Sequence, residues 1–406
     1  SEIMIFSEKL NYPLKDNINL TRGDIYDING NLLATSIDSR SISIDPRKIK
    51  NKSDISNKLS RLLSIDKFEI EKKLSSKNKF VWIKRNITPK EYQEIINLGE
   101  INIKTHNETK RIYPYKNIAS HVVGYVDIDQ TGQSGIERYF NNKLSSSENI
   151  YLTLDINLQQ LVRENLLNTI NKYNAESGLA VVMNIKSGNI LSSVSFPDFN
   201  PENNKTYLSK NLTNKVVQSN YEMGSTFKPI TAAMGYDLGL IKPEMTFDVT
   251  KRFKGIGDHD NYKGSGIYDV EEIIIQSSNI GTAKIATIIG KNNQNNFFEK
   301  IGFNKRVEIE LAEAAKPIGN KNNWGPLETA TIGFGHGFSI TPLHLIKAYA
   351  SISNNGFEVL PTLHLNKKVS KNKKKILINE ESSKFFLNLL NSVVLKTEYT
   401  GPRIKI

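Results

Sequence analysis

The stretch GLAVVMNIKSGNILSSVSF, from Gly178 to Phe196, constrains the fold more than any other, because two apolar runs flank the polar turn Lys186-Ser187-Gly188-Asn189. That pattern predicts a hairpin whose strands are buried. Beyond it the chain reads as a loop, then helices starting near Ser225, Ser277 and Pro342, and a last helix over roughly Ser382 to Leu395. A sheet hairpin followed by a block of helices predicts an α+β domain, with helices packed on a mostly antiparallel sheet. Upstream, residues 20–150 read as short strand-like pieces separated by turn residues. Arg22 to Ile37 is a hairpin candidate in which Asn29-Gly30 supplies the positive φ angles of a tight turn. Thr88-Pro89 opens a helix, with Thr88 capping and Pro89 in the first turn, and Gly124 to Glu137 is loop-like. Tyr151 to Leu167 is a strand leading into an amphipathic helix capped by Asp155. The chain therefore divides into a mixed, strand-rich N-terminal domain over 1–150 and an α+β domain over 151–406.

Composition narrows the chemistry. A length of 406 residues leaves room for two or three domains with buried cores. With no cysteine, the chain has no disulfide, thiolate nucleophile or Cys-ligated zinc. The histidines His106, His121, His259, His336, His344 and His364 show no H-x-x-x-H or H-x-H spacing, so no metal site is expected and cofactor-free chemistry is the default. The formal charge of +12 favours an anionic partner without naming one. The basic run Lys367 to Lys375 carries no interleaved aromatic side chains and no G-x-x-x-x-G-K-[ST] cradle occurs, so neither nucleic-acid nor nucleotide binding is expected. No apolar run approaches the ~18 residues of a membrane span. The chain opens with Ser1 rather than Met, so an anchor or signal is expected upstream.

Two polar helix starts carry the reactive groups. In Tyr221-Glu-Met-Gly-Ser225-Thr-Phe-Lys228-Pro229, Ser225 and Lys228 lie three apart on one helical face, within reach of each other over one turn. With Ser225 as N-cap, Pro229 falls in the first turn, where its missing N–H costs no helical bond. Burial of the lysine in a dry site lowers its pKa until it can accept the serine proton. The other S-x-x-K copies, Ser64/Lys67, Ser76/Lys79 and Ser370/Lys373, sit in Lys-rich polar surroundings. The second start is Gln276-Ser277-Ser278-Asn279, where Ser277 offers a proton-relaying hydroxyl and Asn279 an amide to position a lysine or a substrate carbonyl. A plain Ser/Asn N-cap is the alternative reading of that segment.

The ordered pair Ser225-x-x-Lys228 and Ser277-x-Asn279 resembles the first two motifs of the penicillin-recognising serine enzymes. Arg22-Gly-Asp-Ile-Tyr-Asp-Ile-Asn-Gly resembles the opening of the class B penicillin-binding proteins, with Ile28 where that family usually has Arg. Phe80-Val-Trp-Ile-Lys-Arg85, Lys110-Arg-Ile-Tyr-Pro114, His121-Val-Val-Gly124-Tyr, Gly135-Ile-Glu137 and Ile332-Gly-Phe-Gly-His-Gly-Phe-Ser-Ile-Thr-Pro342 follow in the family's order. The Ser-Ser-Asn second motif and the Trp-Ile-Lys-Arg segment are most similar to the septal, division-specific branch.

The resemblance implies an N-terminal pedestal of the dimerisation type followed by a serine β-lactamase-like transpeptidase domain. It implies catalytic roles for Ser225, Lys228, Ser277 and Asn279. Ser225 would cross-link peptidoglycan stem peptides through an acyl-enzyme and react with β-lactams. The implied setting is the inner membrane facing the periplasm, beside a membrane-embedded glycosyltransferase and other division proteins. A D,D-carboxypeptidase, a β-lactamase-like hydrolase and a non-catalytic division scaffold are the alternatives. The family's third motif, K-T-G, is absent: Lys396-Thr397-Glu398 lacks its glycine, and Val393 to Gly401 resembles the stretch that precedes it, so the transpeptidase domain is expected to continue past Ile406. By the same resemblance, that motif would supply one of two oxyanion N–H groups, the other being that of Ser225. His336, Trp82 and Trp324 are read as structural, and Glu164 to Asn168 as an exposed helix face rather than a deacylation loop.

Overall fold

A computed structural model describes residues 21–258, 266–319, 324–365 and 375–396. The basic run from Lys367 to Lys374, His259 and everything from Thr397 onward, including most of the stretch likened to the approach to the third motif, lie outside the described residues.

The pedestal begins with β1 (Ile25–Tyr26) and β2 (Leu32–Ile44), which pair antiparallel as predicted. The turn between them differs from the expected one. Only Gly30 has positive φ, at 82°, and the Asp27 carboxylate organises the loop by accepting the backbone N–H groups of Asn29 and Asn31, each at 2.8 Å. An aspartate that satisfies two turn amides removes the need for a left-handed residue at 29. Two helices, α1 (Lys52–Leu63) and α2 (Lys67–Leu74), precede β3 (Val81–Ile87). Next come α3 (Pro89–Asn97), with a Thr88/Glu91 capping box, and β4 (Ile103–Ile112). β4 pairs with β2 from Thr35↔Ile112 to Ile44↔Ile103, so these two strands are long rather than the short pieces the sequence suggested. The distal part of the sheet and its three helices close over a small core that includes Ile42, Leu59, Leu63, Ile70, Leu74 and Ile83.

Below this head, α4 (Ser120–Val123), α5 (Gly135–Tyr139) and α6 (Asn141–Ser145) bring three of the quoted motifs together. The Glu137 carboxylate is fully buried and accepts from Arg22 Nε and Arg111 Nε, each at 2.7 Å. Arg22 also donates to the carbonyls of Glu137 and Gln130 and to the side chains of Asn141 and Ser145. Charges that far from water are tolerated only when paired and hydrogen-bonded.

β5 (Ile150–Tyr151) runs parallel to β1 and completes a five-stranded sheet in which β4 flanks β2. The chain then enters α7 (Ile156–Tyr173), capped by Asp155 as predicted, and the hairpin of β6 (Gly178–Met183) and β7 (Ile190–Phe196). Gln159 fastens α7 to β7, donating to the Ser193 carbonyl and accepting from its N–H. β7 is buried almost throughout, whereas β6 is only half-buried, contrary to expectation. Among the described residues β6 has a strand neighbour on one side only, and that accounts for its exposure. One apolar core runs across the whole region, joining Ile25, Leu33 and Ile150 to Met183, Ile190, Leu343 and Leu363.

Two short helices, α8 (Ser209–Leu212) and α9 (Lys215–Gln218), lead to α10 (Lys228–Asp237). A small ladder of β8 (Phe247–Asp248) and β9 (Ile267–Tyr268) follows. Then come α11 (Val270–Ile275), α12 (Asn279–Ile301, kinked at Gly290), α13 (Pro326–Ile332), α14 (Pro342–Ser353) and α15 (Glu380–Lys396). α10 is the central helix, packed against α12 and α15, and its Thr231, Ala232, Ala233 and Gly235 let neighbours approach closely. The architecture is α+β, as the sequence indicated. No described helix is long and apolar enough to cross a membrane.

Candidate active site

Ser225 lies in a single 3₁₀ turn, Gly224–Phe227, that runs directly into α10. It is not the N-cap that the sequence suggested: its carbonyl accepts the Lys228 N–H, and no side chain caps this end. The turn is held from below by Phe227, which is fully buried against Phe298, Phe303 and Phe338 with ring centroids 5.5–5.9 Å apart. From the side, the Tyr349 hydroxyl donates to the Thr226 carbonyl over 2.5 Å. Tethering its neighbours this way leaves the Ser225 side chain exposed.

Lys228, one turn on, points inward and is 2% exposed. Its amine donates to the Ser277 hydroxyl over 2.9 Å and also to the Ser277 carbonyl. Burial pushes this amine down from 10.5 to about 8, against the opposing pull of the Asp258 charge. The structure thus joins Lys228 of the first motif to Ser277 of the second. Among the described residues no hydrogen bond joins the side chains of Ser225 and Lys228.

Ser277 occupies the left-handed region with φ 54°. The N-cap of α12 is Ser278, whose hydroxyl accepts the Gly281 N–H at 2.9 Å. The capping alternative therefore belongs to Ser278, and Ser277 sits one residue earlier with its hydroxyl turned to the lysine. Asn279 is half-buried, and its amide donates to the Gly257 carbonyl at 3.3 Å; among the described residues it makes no hydrogen bond to Lys228.

A glycine-rich segment closes the other side. Gly335 accepts the Gly224 N–H at 3.1 Å and has φ 77°, and a Cβ placed on it would lie 2.4 Å from the Gly224 carbonyl oxygen. No other residue allows that approach to the serine turn. The Glu222 carboxylate joins the two segments, accepting the Gly337 N–H at 2.9 Å and pairing with His336 Nδ1 at 2.7 Å. His336 thus joins the glycine-rich segment to the serine turn through Glu222, a link the sequence did not show. Trp324 packs in the core around Phe298, while Trp82 lies half-buried against Phe80 and His106. Glu164 and Asn168 lie exposed on α7.

Sequence reasoning missed Glu222, Asp258 and Tyr349, none of which stands in a distinctive pattern. The spacing Gly333-x-Gly335-x-Gly337 was visible, but not the turn it supports. Among the described residues no cluster of three or more His, Asp or Glu is arranged to hold a metal. A polar cleft of about 660 Å³ lined by Arg40, Arg85, Tyr92 and Asp129 lies on the pedestal, so cavity size does not mark Ser225.

Comparison with known families decides the relationship. The family described as penicillin binding protein transpeptidase domain matches residues 178–406, and the penicillin-binding protein dimerisation domain matches residues 17–183. The chain belongs to the class B penicillin-binding proteins. Within this family it is most like the FtsI type. It is 29% identical over 344 residues to the probable peptidoglycan D,D-transpeptidase FtsI of Caulobacter vibrioides, covering 82% of this chain and 58% of that protein. It is 32% identical over 375 residues to the peptidoglycan D,D-transpeptidase FtsI of Buchnera aphidicola, covering 82% and 65%. The Escherichia coli FtsI is 25% identical over 374 residues, covering 84% and 63%. The chain therefore spans less than two thirds of the length of these three relatives. A solved peptidoglycan synthetase from Bifidobacterium adolescentis shares the fold, with a TM-score of 0.71 at 22% identity over 93% of this chain and 81% of that one.

Proposed function

We propose that this penicillin-binding protein is a serine-type peptidoglycan D,D-transpeptidase of septal wall synthesis. The observation that carries the reading is a buried lysine amine, brought down to about 8, one helical turn beyond an exposed serine. In the reaction, the Ser225 oxygen attacks the carbonyl of the penultimate D-alanine of a stem peptide while its proton passes to the neutral Lys228 amine. The tetrahedral intermediate collapses, and the terminal D-alanine leaves with a proton returned through the Lys228–Ser277 pair. The acyl group remains on Ser225 as an ester. An amine of a neighbouring stem then attacks the ester, the new amide forms, and Ser225 recovers its proton. β-Lactams acylate the same oxygen by opening of their ring. Asn279 faces the acyl chain in this reading, since it flanks Ser277 at the start of α12.

The septal assignment rests on similarity to proteins named FtsI, and the pedestal is taken as residues 1–150 with the transpeptidase domain from 151. Location on the periplasmic side of the inner membrane, with an anchor and a membrane-embedded glycosyltransferase as neighbours, belongs to the same reading. The test is to label the full-length protein with a fluorescent penicillin and map the adduct by mass spectrometry. Ser225 alone should carry it; label on Ser64, Ser76, Ser277 or Ser370 refutes the assignment.

A further inference from the structure

Asp258 follows β8 in the chain, and its carboxylate makes three contacts to the start of α12. Oδ2 accepts the Ser278 hydroxyl at 2.6 Å, while Oδ1 accepts the N–H of Asn279 at 2.5 Å and that of Ile280 at 3.0 Å. The neighbouring Gly257 carbonyl takes the Asn279 amide at 3.3 Å. Gly257 and Asp258 thus hold the α12 side of the second motif. A carboxylate suits this place, because the first N–H groups of a 23-residue helix have no intrahelical partners and carry its positive end.

The residue just before this clamp is Ser277. A serine in the left-handed region is held there at a cost of roughly 1 kcal/mol, so its neighbours must fix it. Its hydroxyl and its carbonyl both point at the Lys228 amine only while the turn keeps that conformation. The hydrogen-bond partners of the amine among the described residues are the carbonyl and hydroxyl of Ser277. The Asp258 charge pulls the amine towards its ammonium form, against the effect of burial.

We propose that Asp258 is a positioning residue for acyl transfer: its carboxylate locks the Ser277–Asn279 turn onto Lys228 and sets a negative charge on the far side of the turn that the amine contacts. This rests on the acyl-transfer reading above. The two roles have separate signatures. The hydrogen bonds set how well the turn is formed, hence the maximal acylation rate. The charge favours the ammonium form, hence the pH at which the rate rises.

The experiment measures second-order acylation of the full-length protein by a fluorescent penicillin between pH 5.5 and 9.5. Parent, Asp258→Asn, Asp258→Glu, Asp258→Ala and Ser278→Ala proteins are compared, with a thermal melt on each. Asp258→Asn keeps an acceptor oxygen but loses the charge. Its midpoint should move down by about half a unit to one unit, with a plateau within about threefold of the parent. Asp258→Ala should lose at least about tenfold of the plateau, as positioned groups do when their support goes. Ser278→Ala keeps the charge, so its midpoint should stay at the parental value. An Asp258→Asn midpoint that is unchanged or raised overturns the electrostatic role, and an Asp258→Ala plateau equal to the parent's overturns the positioning role. If the Asn and Ala proteins do not fold, Asp258→Glu decides: a parental midpoint with a lowered plateau supports the proposal, and a parental plateau overturns it. Failure of the acyl-transfer reading looks different, since the parent would then not be acylated or Lys228→Ala would be acylated normally.

Discussion

The Lys228 amine and the Ser277 hydroxyl share a hydrogen bond of 2.9 Å across 49 residues of sequence, tying the helix that follows Ser225 to the start of another. Because the amine is buried and brought down to about 8, its neutral form is accessible near physiological pH. Acylation of Ser225 should therefore rise with pH through about 8 and level off above it. Lys228→Ala should reduce the rate by about 10²–10⁴ at every pH. Labelling rates with a fluorescent penicillin across that range check both; an unimpaired Lys228→Ala protein places the base elsewhere.

The same amine affects stability in the opposite sense. It falls from 10.5 in the unfolded chain to about 8 in the folded one, so between those values the unfolded state binds more protons. The associated cost, on the order of 3 kcal/mol, is present in full below pH 8 and disappears as the pH rises towards 10.5. Lys228→Met should be inactive yet more stable at pH 7, with the advantage shrinking by pH 10. Denaturant melts at the two pH values measure this, and a constant difference contradicts it.

Gly335→Ala should be inactive but folded. The added methyl meets the backbone of Gly224, not a side chain that can turn away, so the serine turn must shift. Misplacement by about 1 Å typically costs about 10² in rate. Parental acylation by this variant would mean that the turn tolerates displacement.

Glu137→Ala leaves Arg22 and Arg111 buried without their shared carboxylate, which should cost about 3–5 kcal/mol of stability. Acylation measured on the fraction that remains folded should be near parental, because the triad lies in the pedestal. A melt within 1 °C or so of the parent's, where about 1 kcal/mol shifts a large domain by ~2–4 °C, would show that the arginines find other partners.

Local chemistry was the legible part of this chain. Asp155 capping α7, Thr88 capping α3 and the hairpin at Gly178 to Phe196 all depend on residues within a few positions of one another, and each stands where the sequence placed it. Errors arose where one polar residue competes with its neighbour. Asp27 took the turn role expected of Asn29, and Ser278 took the cap expected around Ser277. Adjacent serines offer the same oxygen to the same N–H, and only the incoming path of the backbone selects between them. The least legible features were long-range. Nothing local in Arg22, Arg111 and Glu137 says that a single carboxylate serves both arginines, and Asp258 stands in no periodic pattern.

The apolar core that joins Ile25 and Ile150 to Met183, Ile190 and Leu363 also governs how this protein comes apart. A piece ending near residue 150 would leave those side chains facing water, and so would a piece beginning there. The head built on Leu59, Leu63 and Ile70 has an interior of its own and can open without disturbing that seam. In native-state hydrogen exchange, amides of α1 and α2 should be released at a lower free energy than those of β1, β5 and β7, which should exchange together. The seam that binds the two halves is therefore assembled from chain segments separated by more than three hundred residues, from Ile25 to Leu363.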